Sequence, residues 1–442
     1  MSNGKKIEAL DAFRNFSAGF GDPTKDKRLG THYARQRVNF RAIDALCSSS
    51  AMARRLSITI PQDATRSWRK WLGDHATELE ALERRLNIRS SVYHAMVEAN
   101  KFGGAVLLPV YRREPDYSMP LRLSDISKGD LVALTLVPRE MVTTKTINMD
   151  ISSPRFYRPE IVTIDPSAGD GETPLDIHHS QLIWLDGIET SSYSRGTTGE
   201  GWDDSFIELL RPQIEALDSI SANIDALVFE ARMQTLKVKN LSQYFENAEF
   251  EARFTERVAA MQTLMSSLRM RIIDEEEDLT TESFNFSGLL DCHNTALQTL
   301  SAASGIPKSR LLGESATGLG DSGKSDLRNY YDLVQAKQQH ELATALRPLD
   351  EIMHRSVTGE PLPVEDHIEW VKLWEPELGD HAEAALKWTQ SIANLYDTGL
   401  LDPDVLSAGV SGKLEEVLGI RHDDTGDFGP IVLAEPDDKT VE

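Results

Sequence analysis

The stretch Gly305-Ile306-Pro307-Lys308-Ser309-Arg310-Leu311-Leu312-Gly313 continues through Gly318-Leu319-Gly320-Asp321-Ser322-Gly323-Lys324-Ser325 to Asp326-Leu327-Arg328-Asn329-Tyr330-Tyr331. It has two readings, and the choice between them decides the fold. Residues 318–325 satisfy G-x-x-x-x-G-K-[ST], the pattern of a phosphate-binding loop. That chemistry needs glycines so that backbone N–H groups can wrap a phosphate, a lysine on the outer phosphates and a hydroxyl on magnesium. It also needs a buried strand just before the loop and a helix just after it. The helix is expected, but Ile306 to Leu312 is short, charged and contains a proline. Asp321 inside the loop would oppose a phosphate. The stretch therefore reads as a Gly/Ser-rich loop, Gly313 to Gly323, and the alternative of a P-loop nucleotide-binding ATPase using 318–325 is set aside.

Outward from the loop the patterning is mostly helical. A helix is expected over Leu289 to Ser304, and a long one over Asp326 to Arg355 with a kink at Pro348. After Pro361 and Pro363 come a strand-like His367 to Leu373 and helices over Asp380 to Leu418. Upstream, Leu209, Leu210, Ile214, Leu217, Ile220, Ile224 and Leu227 recur at helical steps, predicting one helix over Phe206 to Met233. Between these helices lie a strand at Leu236 to Val238, a helix at Ala248 to Leu268, a strand at Met270 to Ile273 and the acidic run Asp274-Glu275-Glu276-Glu277-Asp278.

The character changes again from Gly103 to Ile188, where short β-branched runs are punctuated by Pro, Gly and Asp. The runs Ala105 to Val110, Leu131 to Val137, Glu160 to Ile164 and Gln181 to Leu185 read as hairpin-connected strands. Gly187 to Gly201 reads as a loop, with Trp202 opening the next helix. Before the β block, a helix is expected over Tyr33 to Leu56. An extended Ser57 to Ile60 closed by Pro61 follows, then a helix pair over Arg66 to Ala99. The first thirty residues read as a polar arm, and those after Arg421 as a solvated acidic tail.

Asp and Glu number 70 against 47 Lys and Arg, for a net charge of -23 over 442 residues. A protein that grips phosphates would show a cationic excess or face instead. Cys47 and Cys292 stand far apart with no metal-ligand spacing and read as reduced, buried small hydrophobes. No apolar run approaches a membrane span, and Met1 to Leu10 lacks the core of a secretion signal. The adjacent His178 and His179 point to opposite faces of a strand and lack a third ligand, so they read as structural. No nucleophile elbow or acid/base pair stands out, so no catalytic residue, metal or cofactor is expected.

Several segments, taken in order, resemble a portal family of tailed phages. Ile60-Pro61-Gln62-Asp63-Ala64-Thr65-Arg66-Ser67-Trp68 is similar to the family's apolar-Pro-x-Asp-x-x-Arg-x-Trp segment. Phe102-Gly103-Gly104-Ala105-Val106-Leu107 follows, then Ile177-His178-His179-Ser180-Gln181-Leu182-Ile183, with Gln181 where the family carries Arg. Trp202-Asp203-Asp204-Ser205 resembles a Trp-Gly-x-Ser helix start, with Asp203 in place of the Gly. The opening stretch resembles the family's Gly-Ile-Pro, Leu-x-Gly, Gly-Leu, Asp-x-x-x-Tyr-Tyr series. Lys324 stands there where an acidic residue is common, and that one departure creates the phosphate-loop match. Leu373-Trp374-Glu375-Pro376 and Gly399-Leu400-Leu401-Asp402-Pro403 complete the likeness, which covers Asp22 to Leu418.

The resemblance implies an α+β, mostly helical portal fold with a β-containing wing, a helical stem, a small α/β clip and a helical crown. It divides the chain into an arm (1–30), wing (31–205), stem helix (206–233), clip (234–286), second stem helix (287–305), channel loop (306–325), long wing helix and return strand (326–379), crown (380–420) and tail (421–442). It further implies a non-enzymatic ring, usually of twelve subunits, at one capsid vertex. Double-stranded DNA would pass through this ring without sequence specificity during packaging, retention and ejection. The implied partners are the terminase large subunit, the head-tail adaptor and the major capsid and scaffold proteins, with no membrane. The implied location is the virion, and the host cytoplasm during assembly. Ser315, Thr317, Asp321, Ser322, Lys324 and Arg328 would face the DNA, and Asp274, Glu275, Glu276 and Glu277 would meet partners at the clip. An acidic bore would let the duplex slide, because it repels phosphates where a basic bore would hold them.

Overall fold

The computed structural model describes residues 38–165, 174–197, 200–230, 234–237, 252–256, 259, 278–281, 287–313, 321–363, 368–374, 387, 390, 391 and 394. The chain divides into two compact units, Met1–Val371 and Lys372–Glu442, and every element named below belongs to the first. The architecture is α+β and mostly helical, with antiparallel sheets.

Helices α1 (Phe40–Ser49) and α2 (Ala51–Arg66) open the described chain. Each starts where a side-chain oxygen takes an orphan amide. Asn39 Oδ1 accepts from Ala42 N at 3.2 Å, and Ser50 Oγ from Ala53 N at 3.3 Å. The extended segment expected at Ser57 to Ile60 is instead helical, and α2 runs straight through Pro61. A proline deprives the carbonyl four residues back of its donor. Here that carbonyl, on Ser57, accepts from Asn100 Nδ2 at 3.1 Å. The donor lost to proline is thus replaced from another helix.

The helix pair expected from Arg66 starts later, because β1 (Arg69–Trp71) comes first and pairs antiparallel with β10 (Ile368–Trp370). The pair itself is α3 (Ala76–Leu86) and α4 (Ile88–Phe102), joined through a left-handed Asn87. On α4, Ile88, Val92, Ala95, Met96, Ala99 and Phe102 form one buried stripe at helical spacing.

The β block is as expected in kind. Strands β2 (Gly104–Tyr111), β3 (Leu131–Pro138) and β7 (Ile183–Asp186) form a sheet in the order β3-β2-β7. Strands β4 (Val142–Ile147), β5 (Pro159–Ile164) and β6 (Leu175–His178) form another in the order β4-β5-β6. One apolar cluster joins them, with Val106 and Val137 from the first sheet, Val162, Ile164 and Ile177 from the second, and Trp202. Trp202 therefore plugs the β core and does not open a helix. The expected loop before it contains the short α5 (Ser192–Thr197).

Helix α6 (Phe206–Glu230) is capped by Ser205, whose Oγ accepts from Glu208 N at 3.0 Å. Strands β8 (Gln234–Lys237) and β9 (Asp278–Thr281) pair antiparallel beyond it, and α7 (Ser287–Ser304) returns to pack on α6. The strand foreseen at Leu236 to Val238 is thus β8, set earlier by two residues. Of the helix expected at Ala248 to Leu268, residues 252–256 and 259 are described and helical, while the strand at Met270 to Ile273 lies outside the described residues.

Helix α8 (Lys308–Leu312) precedes α9 (Asp321–Ala336), then a π-helical turn (Lys337–Leu342) and α10 (Ala343–Thr358). Part of the segment expected to be loop, 306–325, is therefore helical. Pro348 sits inside α10 without ending it, and the departure from α geometry falls upstream, in the π turn. Cys47 is buried as expected, but Cys292, on α7, is exposed. The second unit is described only at residues 372–374, 387, 390, 391 and 394, the last four helical, within the expected crown. Among the described residues no helix is long and apolar enough to cross a membrane.

Candidate functional site

The base of the 306–325 segment is built on one carboxylate. Asp63, fully buried on α2, takes a two-pronged ion pair from Arg310 of α8, at 2.9 Å from Nε and 2.7 Å from Nη2. The Tyr330 hydroxyl of α9 donates to the same carboxylate at 2.8 Å. Arg310 and Tyr330 lie on opposite sides of residues 314–320, so both flanks of that segment are fastened to α2 at a single point. The ion pair raises the Arg310 pKa, and burial, reinforced by Asp63, pushes the Tyr330 hydroxyl up. The group accepting both bonds is a carboxylate because one buried cation and one hydroxyl need more acceptor capacity than a neutral side-chain oxygen offers.

The same stretch of α2 is tied at further points. The Arg66 guanidinium lies 5.0 Å from the Tyr331 ring centroid. Gln338, fully buried in the π turn, donates through Nε2 to the carbonyls of Ala64 (2.7 Å) and Ser67 (3.2 Å), which are terminal acceptors of α2. Trp68 donates to Glu83 at 2.9 Å, and Glu83 pairs with Arg69, which reaches on to Asp350 of α10 at 3.0 Å.

A second knot lies where α4 enters β2. At Gly103, φ is +82° and a Cβ would lie 2.4 Å from the Asp203 carbonyl oxygen; at Gly104 it would lie 2.4 Å from the Trp202 ring. The two glycines thus leave room for the Trp202-Asp203 backbone. Asp203 stands where the resembled family carries Gly. It is buried, paired with Arg158 at 2.9 Å and Arg195 at 2.7 Å, so the added charge is compensated by two cations. Gln181, where the family carries Arg, donates to the Met119 carbonyl at 3.1 Å.

The expected channel-facing residues fall partly outside this description. Ser315 and Thr317 lie outside the described residues, as do Asp274, Glu275, Glu276 and Glu277. Asp321, Ser322 and Lys324 occupy the first turn of α9, and Arg328 is exposed on the same helix. The element before 318–325 is the helix α8, not the strand a phosphate loop requires. His178 and His179 sit at the end of β6 and in the turn after it. There His178 Nδ1 meets Ser180 Oγ at 2.9 Å, and burial, with Arg155 and His178 adding, pushes His179 down to about 4. Asp63, Arg310 and Tyr330 were quoted within motifs, but no role could be given to them from sequence. Their one signal is an aspartate among residues otherwise buried on α2.

Helices α6 and α7 supply the remaining feature. On α6, Leu217 is the last buried residue among the described side chains; on α7, burial begins only at Leu297. Between them Ile220 and Ile224 are half-covered, and Leu290 is 69% exposed. The far halves of the two helices thus carry apolar side chains with no core of their own.

A family model described as "Phage portal protein" matches residues 41–394. The chain is 28% identical over 424 residues to "Anti-CBASS protein Acb1" of Caulobacter sp. (strain RHG1), covering 92% of this chain and 67% of that one. It is 28% identical over 427 residues to the protein of the same name from Sphingomonas paeninsulae, covering 92% and 65%. The chain thus spans about two thirds of the length of these relatives. Among solved structures, the neck of the native GTA particle computed with C12 symmetry aligns at TM-score 0.48 and 12% identity, over 83% of this chain and 92% of that one. An HK97 family phage portal protein from Corynebacterium diphtheriae aligns at TM-score 0.34 and 11% identity, over 62% and 80%.

Proposed function

The chain belongs to the phage portal protein family, and from that premise we propose that it is a structural, non-enzymatic subunit of a ring at one capsid vertex. In this reading the ring has twelve subunits, encloses the channel through which double-stranded DNA is packaged, held and ejected, and docks the terminase large subunit and later the head-tail adaptor. The β block and its leading helices form the wing, α6 and α7 the stem, 234–286 the clip and 380–420 the crown. The segment 306–325 faces the bore, with Lys324 and Arg328 making brief phosphate contacts in an otherwise acidic surround. The protein would assemble in the host cytoplasm with capsid and scaffold proteins and reside in the virion.

The observation that carries the ring is the pair α6 and α7. Half-covered Ile220 and Ile224 and exposed Leu290 have no apolar partner within their own half of the pair, and side-by-side copies would cover them. The name carried by the two bacterial relatives stays with them, since about a third of their length has no counterpart in this alignment. Light scattering and negative-stain imaging of the purified chain test the reading. Rings of about a dozen copies with an axial hole are expected; a monomer or dimer at every concentration would overturn it.

A further inference from the structure

An open cavity of about 1200 Å³ lies within the first unit, between the β block and α10. Arg155, His179 and Trp184 line one wall, and the π turn Lys337–Leu342 lines the opposite one. π-helical turns interrupt α-helices mostly at functional sites, since they cost regular hydrogen bonding.

Arg155 is the unusual member. Its guanidinium lies 5.2 Å from the Trp184 ring centroid, and its single side-chain hydrogen bond is a long one, from Nη2 to the Pro159 carbonyl at 3.4 Å. Its Nε is buried without a partner among the described residues. Neighbouring carboxylates are already engaged: Asp186 and Asp203 both pair with Arg158, at 2.8 and 2.9 Å. Across the cavity Lys337 is paired with Glu341 at 2.6 Å. A guanidinium has five donors and is disfavoured in a desolvated site without an anion. Burial, with Arg158 adding, lowers the Arg155 pKa, the direction expected of a cation lacking its counter-charge.

We propose that this cavity is a socket for a carboxylate-bearing apolar segment of a neighbouring copy of this chain, with Arg155 as the anchor. The proposal rests on the ring reading above. The volume exceeds the roughly 300–1000 Å³ of most small-ligand sites and suits several side chains of a polypeptide. Charge supports a second copy as the occupant: a chain with 70 acidic and 47 basic residues presents a carboxylate-rich surface to its neighbour. Trp184 holds the Arg155 plane ready to accept a carboxylate, its own indole N–H being engaged by the His179 carbonyl at 3.0 Å.

The test uses the full chain, with wild type, Arg155→Glu and Thr344→Trp compared by mass photometry and imaging across a concentration series. Thr344 is an exposed residue of the cavity lining, so a tryptophan there fills the socket without touching Arg155. Both variants should keep the wild-type thermal unfolding profile and need roughly tenfold more protein to form rings, as loss of an interface anchor does. A map of the wild-type ring should show a neighbour's segment against Arg155. Rings from both variants at wild-type concentrations overturn the socket and leave the ring reading standing, as does a map showing the cavity empty or holding a small molecule or a different protein. If Arg155→Glu does not fold, Thr344→Trp decides alone. A wild type that forms no ring overturns both readings.

Discussion

Asp63 carries more of the architecture than any other single side chain described. Its carboxylate serves a cation and a hydroxyl from the two flanks of one segment, and asparagine offers a single acceptor oxygen in its place. Breaking a fully buried pair costs about 3–5 kcal/mol, but Arg310 keeps 24% of its side chain exposed and can regain water. Asp63→Asn is therefore expected to lower unfolding free energy by about 2 kcal/mol, and Tyr330→Phe by about 1 kcal/mol, both read from urea titrations. Equal stability of wild type and Asp63→Asn would refute this account of the node. His179 gives a pH dependence. Its pKa falls from 6.5 to about 4 in the fold, so between those values the unfolded chain binds a proton that the folded chain refuses. Its contribution is complete above pH 6.5 and is lost as pH falls toward 4. His179→Gln should flatten that part of the stability profile, and an unchanged slope in urea titrations over this range would contradict it. Sequence exposed the type of each residue but not its partner: Asp63 stood in a quoted motif with no role, while Asp203 looked like a mere departure from pattern until its two arginines were in view.

Among the elements, α2 shows most clearly what local pattern misses. A proline preceded by β-branched residues argues for an extended segment, since proline removes a donor and disfavours helix at the residue before it. The helix persists because Asn100, on α4, supplies the donor that the Ser57 carbonyl lacks. Two substitutions test this together. Asn100→Ala should cost about 1–2 kcal/mol by stranding a buried acceptor, and about 1 kcal/mol less when Pro61→Ala restores the helical amide. A double-mutant cycle with no coupling would show that Asn100 does not act through that carbonyl. The long, strongly periodic elements were legible: α4, α6, α7 and the strands of the β block fall where their period placed them, within a few residues. Short elements were not. β1 is three residues long and exists by pairing with β10, a distant segment whose own reading as a strand could not name its partner.

At the scale of the whole molecule, the uncovered halves of α6 and α7 and the unsatisfied Arg155 both mark surfaces completed by something outside the chain. Leu290→Glu should reduce ring formation several-fold, since a charge at an apolar contact must be desolvated. Unfolding of the isolated chain should stay near wild type because Leu290 is exposed there. Sedimentation of the two proteins side by side is the measurement, and equal ring fractions would remove α7 from the interface. The sequence by itself determined the class of the fold, the order of the main elements, the lack of a strand before the 318–325 loop and the family. Those are local properties, written in periods of 2 and 3.6 and in motifs a few residues long. Only the tertiary structure decided that Asp63 meets Arg310 and Tyr330 across 247 and 267 residues of chain, that α2 survives its proline, and that Arg155 is left facing a cavity. Such pairings depend on the path of the backbone between the partners, and no local period encodes that path.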